Sequence, residues 1–127
     1  MRCRDARGAA VVDFVLVLVV LVPLFLGILQ VGLVLHVRNT LTAAASEGAR
    51  YAATVDRSPS AGVERTRSQI RGALAARFAS DVSAHEVLVD GVPAVEVRVA
   101  ADVPPLGLWG PSVHLDVSGH AVEEAAP

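Results

Sequence analysis

The chain has 127 residues, a formal net charge of −2 and a hydrophobic share of 53%, and one apolar run takes up roughly a fifth of it, so the remainder makes one small domain at most. The near balance of charge gives no strong nucleic-acid footprint. The only cysteine, Cys3, excludes an intramolecular disulfide and a cysteine cluster for a metal.

Residues 1–8 read as a short leader, too polar to fold and made basic by Arg2, Arg4 and Arg7 against Asp5. Ala9, Ala10, Val11 and Val12 open the apolar run and Asp13 interrupts it before Phe14 resumes it. From Phe14 to Leu35 the only polar side chain is Gln30. At about 1.5 Å rise per residue this stretch matches the roughly 30 Å of bilayer hydrocarbon, which predicts a single transmembrane helix over 9–35. The leader arginines favour a cytoplasmic N-terminus and an extracytoplasmic C-terminal part. A carboxylate such as Asp13 costs about 3 kcal/mol at mid-bilayer and less near the interface, so its place in the first helical turn asks for a reason. Pro23 lacks an N–H and predicts a kink. Gly27 and Gly32 offer small surfaces without GxxxG spacing.

Beyond the span the helical period continues through Val37, Leu41, Ala44, Gly48, Ala52 and Val55, with Arg38, Thr42, Ser46, Glu47 and Arg50 on other faces. One helix from about Ala9 to Val55, roughly 70 Å long, is predicted, with 36–56 as its extension outside the membrane. Its Ala-rich stripe suits close contact with another helix or with the protein's own globular part.

The run 57–62 breaks the pattern, with Ser58 a suitable N-cap and Pro59 suited to a first helical position. An amphipathic helix from about Val63 to Phe78 follows. Val63, Ile70, Ala73, Leu74 and Phe78 share one face, and Glu64, Arg65, Ser68 and Arg71 share the other, where Glu64 is expected to pair with Ser68 or Arg67. Glu86 to Val89 and Ala94 to Val99 flank Asp90-Gly91, a hairpin signal. With Val87 and Val89 placed on the face of Val95, Val97 and Val99, parity requires an odd loop, Gly91-Val92-Pro93, setting Val89 opposite Val95. The stretch Pro104 to Pro111, with Trp109, reads as a loop that packs or binds. A third strand alternates Val113, Leu115 and Val117 with His114, Asp116 and Ser118. The expected fold is a membrane-anchored α+β protein: a long N-terminal transmembrane helix continuing outward, a second amphipathic helix, and a small three-stranded antiparallel sheet, with 63–127 as the extracytoplasmic domain.

His114, Asp116 and His120 can be drawn as a metal site, but with no supporting cluster they read as the water-facing side of the sheet. The sequence contains no Ser-His-Asp or Cys-His set, no Gly-rich phosphate loop and no paired carboxylates in an apolar frame. No catalytic residue and no cofactor is expected, and the chain does not read as an enzyme.

The run Gly8-Ala9-Ala10-Val11-Val12-Asp13-Phe14, preceded by a basic leader and followed by a long helix, resembles the type III signal of prepilin-like proteins. The stretch Asn39 to Ala52, above all Glu47-Gly48-Ala49-Arg50, is similar to a second motif of the TadE-like family of tight-adherence pilus assembly. The resemblance covers about residues 7 to 55. It implies cutting after Gly8 by a prepilin peptidase, a new amine on Ala9 near Asp13, and a pseudopilin or minor-pilin role. The partners it implies are the lipid bilayer, other pilin-like subunits and the tight-adherence machinery. The family usually has glutamate where this chain has Asp13, a carboxylate one methylene shorter. Two readings compete with it. One is a secreted binding protein cut near Thr42-Ala43-Ala44-Ala45, against which the apolar run is far longer than the ~7–15 residues of a signal-peptide core. The other is a membrane-anchored scaffold with no filament role.

Overall fold

The protein is described from a computed structural model covering residues 2–54, 57–105, 110 and 112–124, with side chains from residue 6 onward. Leucine, valine and alanine fill the first helix, α1 (Arg2–Ala52), and its 51 residues continue through Pro23. At about 1.5 Å per residue α1 is roughly 75 Å long. It is long and apolar enough to cross a membrane, and no residue of its most apolar window is buried in the molecule. Phe14, Val20 and Ile28 are among its exposed apolar side chains.

The outer part of α1 behaves differently. Leu33 and Val34 begin to pack against the core, and from Val37 and Leu41 onward one face is fully buried. The Ala-rich stripe therefore covers the protein's own globular part. α1 ends at Ala52, short of residue 56, and the expected stripe member Val55 lies outside the described residues.

The second helix, α2, is Pro59–Ala73, so it starts four residues before Val63 and takes most of the expected 57–62 linker into its first turn. The start is set by chemistry visible in the sequence: Ser58 Oγ accepts from the Ala61 amide at 3.4 Å, and Pro59 supplies a preset φ. The end comes earlier than Phe78, because Leu74 is extended and a short 3-10 turn, Ala76–Ala79, carries Phe78 into the core. Arg67 pairs with Glu64 at 3.4 Å.

Three strands follow, β1 (Asp81–Val89), β2 (Val92–Val103) and β3 (Val113–Val122), in the antiparallel order β1-β2-β3. Asp90 and Gly91 both have positive φ, 51° and 80°, the form of a two-residue hairpin turn. The predicted odd loop is corrected: Val89 pairs with Val92 and Val95 faces Glu86. The inward residues of β1 are Val82 and Ala84, near the start of the strand, while Val87 and Val89 lie on the outer face, so the parity assumed for them was inverted. Residues Val95, Val97, Val99, Val103, Leu115 and Val117 form the buried sheet face beneath the two helices. On β3 the expected alternation holds for Leu115 and Val117, buried, and for His114, Asp116 and Ser118, exposed, while Val113 at the start of the strand is exposed. Most of the Pro104 to Pro111 loop, including Trp109, lies outside the described residues.

Candidate functional site

The Asn39 to Ala52 stretch is where three parts of the molecule converge on α1. Gly48 meets α2: a Cβ there would overlap the Thr66 side chain and stand 2.8 Å from the Gly62 carbonyl oxygen. Gly62 reciprocates, with the Gly48 carbonyl oxygen at 2.8 Å and the Ala52 methyl at 2.7 Å from a Cβ built on it. Two pairs of small residues four apart, Gly48/Ala52 and Gly62/Thr66, thus let the helix backbones touch. On the next face, a Cβ on Gly119 of β3 would stand 2.5 Å from the Ser46 amide nitrogen. Ala45 and Ala49, both fully buried, complete this junction. Small side chains are required here because α1 is clasped between α2 and β3.

Polar groups around the junction are satisfied. Thr66 is fully buried, and its hydroxyl donates to the Gly62 carbonyl at 2.8 Å, with the Ala44 carbonyl at 3.4 Å. Glu47 pairs with Arg65 at 3.6 Å. Arg57 stacks 4.5 Å above the Tyr51 ring and donates to its hydroxyl at 2.7 Å, and Arg65 approaches the same ring at 5.5 Å. Of the expected motif, Glu47, Gly48 and Ala49 therefore hold the head domain onto the helix, whereas Arg50 is exposed. Sequence reasoning missed Gly62, which it placed in the linker, together with Thr66 and Gly119. The spacing of four in Gly62/Thr66, matching that in Gly48/Ala52, is the signal that could have found the first two.

Gly8, Ala9, Asp13 and Phe14 lie at the other end of α1, far from this junction and exposed. A Cβ on Gly8 would meet nothing within 4 Å. Ala9 and Asp13 share a face by their spacing of four. Between the two ends, Gln30 donates to the Pro104 carbonyl at 3.2 Å, which ties the base of the sheet to the helix. The side chains of Arg2, Cys3 and Arg4 lie outside the described residues.

His114, Asp116 and His120 are not brought together. His114 and His120 are six positions apart on one strand, about 20 Å at strand rise. His114 Nδ1 lies 2.8 Å from Asp102, His120 Nε2 lies 2.7 Å from Glu96, and Asp116 is opposite Ala100. Among the described residues no group of three metal-ligating side chains forms. Glu96 is unexpectedly buried, at 9% exposure, because His85 and His120 flank it across the sheet and Arg98 reaches it at 2.6 Å. Burial pushes its carboxyl upward, but hydrogen bonds and charge from Arg98 and His120 outweigh that and hold it below the usual range.

Residues 8–50 match the family model described as TadE-like protein. This part of the chain is similar to TadE-like proteins. The match opens at Gly8 and closes at Arg50, so it takes in both motif stretches and stops where α2 and the sheet begin to add to the fold. No curated protein and no solved structure matches the chain.

Proposed function

We propose that this chain is a non-enzymatic pseudopilin or minor-pilin-like subunit of a tight-adherence pilus system, held by one membrane span with its N-terminus in the cytoplasm. The observation that carries the reading is the TadE-like match over a helix whose lower part is bare and whose upper part is fixed in its own head domain. A subunit built this way offers its apolar helix to lipid or to neighbouring helices, and presents the head outside. The small-residue junction around Gly48 is already occupied within the chain. Contacts between subunits therefore fall to the span below Gln30 and to the outer surfaces of the head.

The head starts at Gln30 and Leu33, which supports a lipid-facing span of about Gly8 to Leu29, roughly 33 Å at 1.5 Å per residue. Asp13 then lies about 26 Å below Gln30, within one turn of the inner edge of a roughly 30 Å hydrocarbon layer. A prepilin peptidase acting there cuts after Gly8, removes Cys3 and the leader arginines, and leaves an amine on Ala9 one turn from Asp13. Exposure of Gly8 leaves it accessible for that cut.

Co-expression of the full chain with a cognate prepilin peptidase, followed by intact-mass analysis, tests the proposal. The wild type should lose residues 1–8 and Gly8→Leu should keep them. Retention of the leader by the wild type removes the processed-pseudopilin reading and leaves the anchored scaffold.

A further inference from the structure

The head domain separates its charge by layer. Between residues 36 and 80, which form the helical layer, the sequence places seven arginines against three carboxylates; from residue 81 onward it places eight carboxylates against Arg98 alone. The two layers back onto each other, and the outer sheet face carries Asp81, Glu96, Asp102 and Asp116 against Arg98, with His85, His114 and His120 among them. On the helical side Arg71 and Arg65 of α2 are exposed, as are Arg38 and Arg50 of α1. On the outer sheet face the cross-strand rows are His85-Glu96-His120, Ser83-Arg98-Ser118 and Asp81-Ala100-Asp116.

The outer sheet face is also apolar at its far end. Val89 and Val92 face each other there, at 39% and 44% exposure, and Val122 lies beside them at 57%. No described element of the chain is packed on this face, and Asp90 lies in the turn at its apolar end. An uncovered aliphatic patch on a predominantly acidic face is the anatomy of a protein contact.

We propose that the occupant is a second copy of this chain, stacked so that the basic helical layer of one head seats on the acidic outer sheet face of the next. Arginine stems cover valines while their guanidinium groups reach carboxylates, an arrangement those long side chains favour. Contact between two sheet faces is opposed by like charge, as is contact between two helical layers. Because the complementary faces are on opposite sides of one head, simple translation brings them together and keeps every α1 parallel, as a shared membrane requires. Such a contact is heterologous and extends from copy to copy without closing on itself at two. The inference rests on the membrane reading for that parallel alignment, and not on cleavage after Gly8.

Disulfide trapping tests it in the full chain, with Cys3→Ser as background, reconstituted in zwitterionic liposomes. A variant carrying both Ser68→Cys on α2 and Ser118→Cys on β3 should give, on oxidation, a ladder of dimers, trimers and larger species. Each single-cysteine variant should stay monomeric, and an equal mixture of the two should stop at dimers. Adding Arg67→Glu and Arg71→Glu to the double-cysteine variant should abolish the ladder, and further adding Asp81→Arg and Asp116→Arg should restore it. Dimers from either single-cysteine variant, absence of a ladder, or a ladder indifferent to charge reversal overturns the stacking. Chains that resist carbonate extraction yet form no ladder refute the stacking while leaving the anchored-subunit reading intact.

Discussion

Gly48 and Gly62 press backbone against backbone, each so close that a Cβ would stand 2.8 Å from the other's carbonyl oxygen. Neither helix can back away freely, since α1 is held on its other side by Gly119 of β3. Gly48→Ala should therefore destabilise the head by about 1–3 kcal/mol, the usual range for overpacking. For a domain of this size that is a fall in Tm of about 4–8 °C per kcal/mol. Gly27→Ala, at a position with nothing within 4 Å, is the control and should leave the head's melting temperature unchanged. Equal melting temperatures for the two variants would show that the crossing adjusts without cost.

Glu96 predicts a dependence on acid. Its folded carboxyl titrates below the unfolded one, so in the interval between them the unfolded chain binds more protons. The stabilisation is complete above the unfolded value, near 4, and is lost as pH falls through the folded value. Glu96→Gln should thus be less stable than the wild type at neutral pH, with the gap closing in acid. Denaturant titrations at a series of pH values measure it, and a gap that stays constant down to the lowest pH would refute this role.

Much of this architecture was legible from local pattern. The uninterrupted apolar run, the Ser58-Pro59 start and the alternation in β3 each depend on neighbours in sequence, and all three stand in the structure. The failures share a different cause. The hairpin register was inverted because Val87 and Val89 look like core residues, but the helices cover Val82 and Ala84 instead. No local pattern reports which end of a strand a distant helix will cover. Glu96 escaped for the same reason: its burial depends on His85 and His120 from both neighbouring strands, and so on the register. At the candidate site the Glu47 to Arg50 motif was legible, but its counterpart around Gly62 was hidden in a run that reads as linker.

Gln30 gives a prediction about coupling between span and head. Its side chain donates to Pro104 at the end of β2, so Gln30→Leu should remove a hydrogen bond worth about 0.5–1.5 kcal/mol and loosen the base of the sheet. Hydrogen exchange should rise first at the amides of Ala101 to Val103 and Val113 to Leu115, with little change around Ala53 at the far end. A uniform rise throughout the head would mean that the contact supports global stability and not this local tie.

Asp13 carries the sharpest functional prediction. It sits among exposed apolar neighbours, with no ion-pair partner among the described residues. A carboxylate near the edge of the hydrocarbon pays a desolvation cost that falls sharply when an opposite charge approaches. The proposed cut after Gly8 creates such a charge on Ala9, either one turn away in the same helix or on a neighbouring subunit. Asp13→Ala should then be cleaved normally, because the cut precedes it, yet assemble poorly. Asp13→Glu, which lengthens the carboxylate's reach by one methylene, should assemble at least as well as the wild type. Intact mass reports cleavage and the yield of sheared filaments reports assembly, both from the same cells. Normal filament yield from Asp13→Ala would show that the carboxylate has no part in assembly, even if Gly8 proves to be the cleavage site.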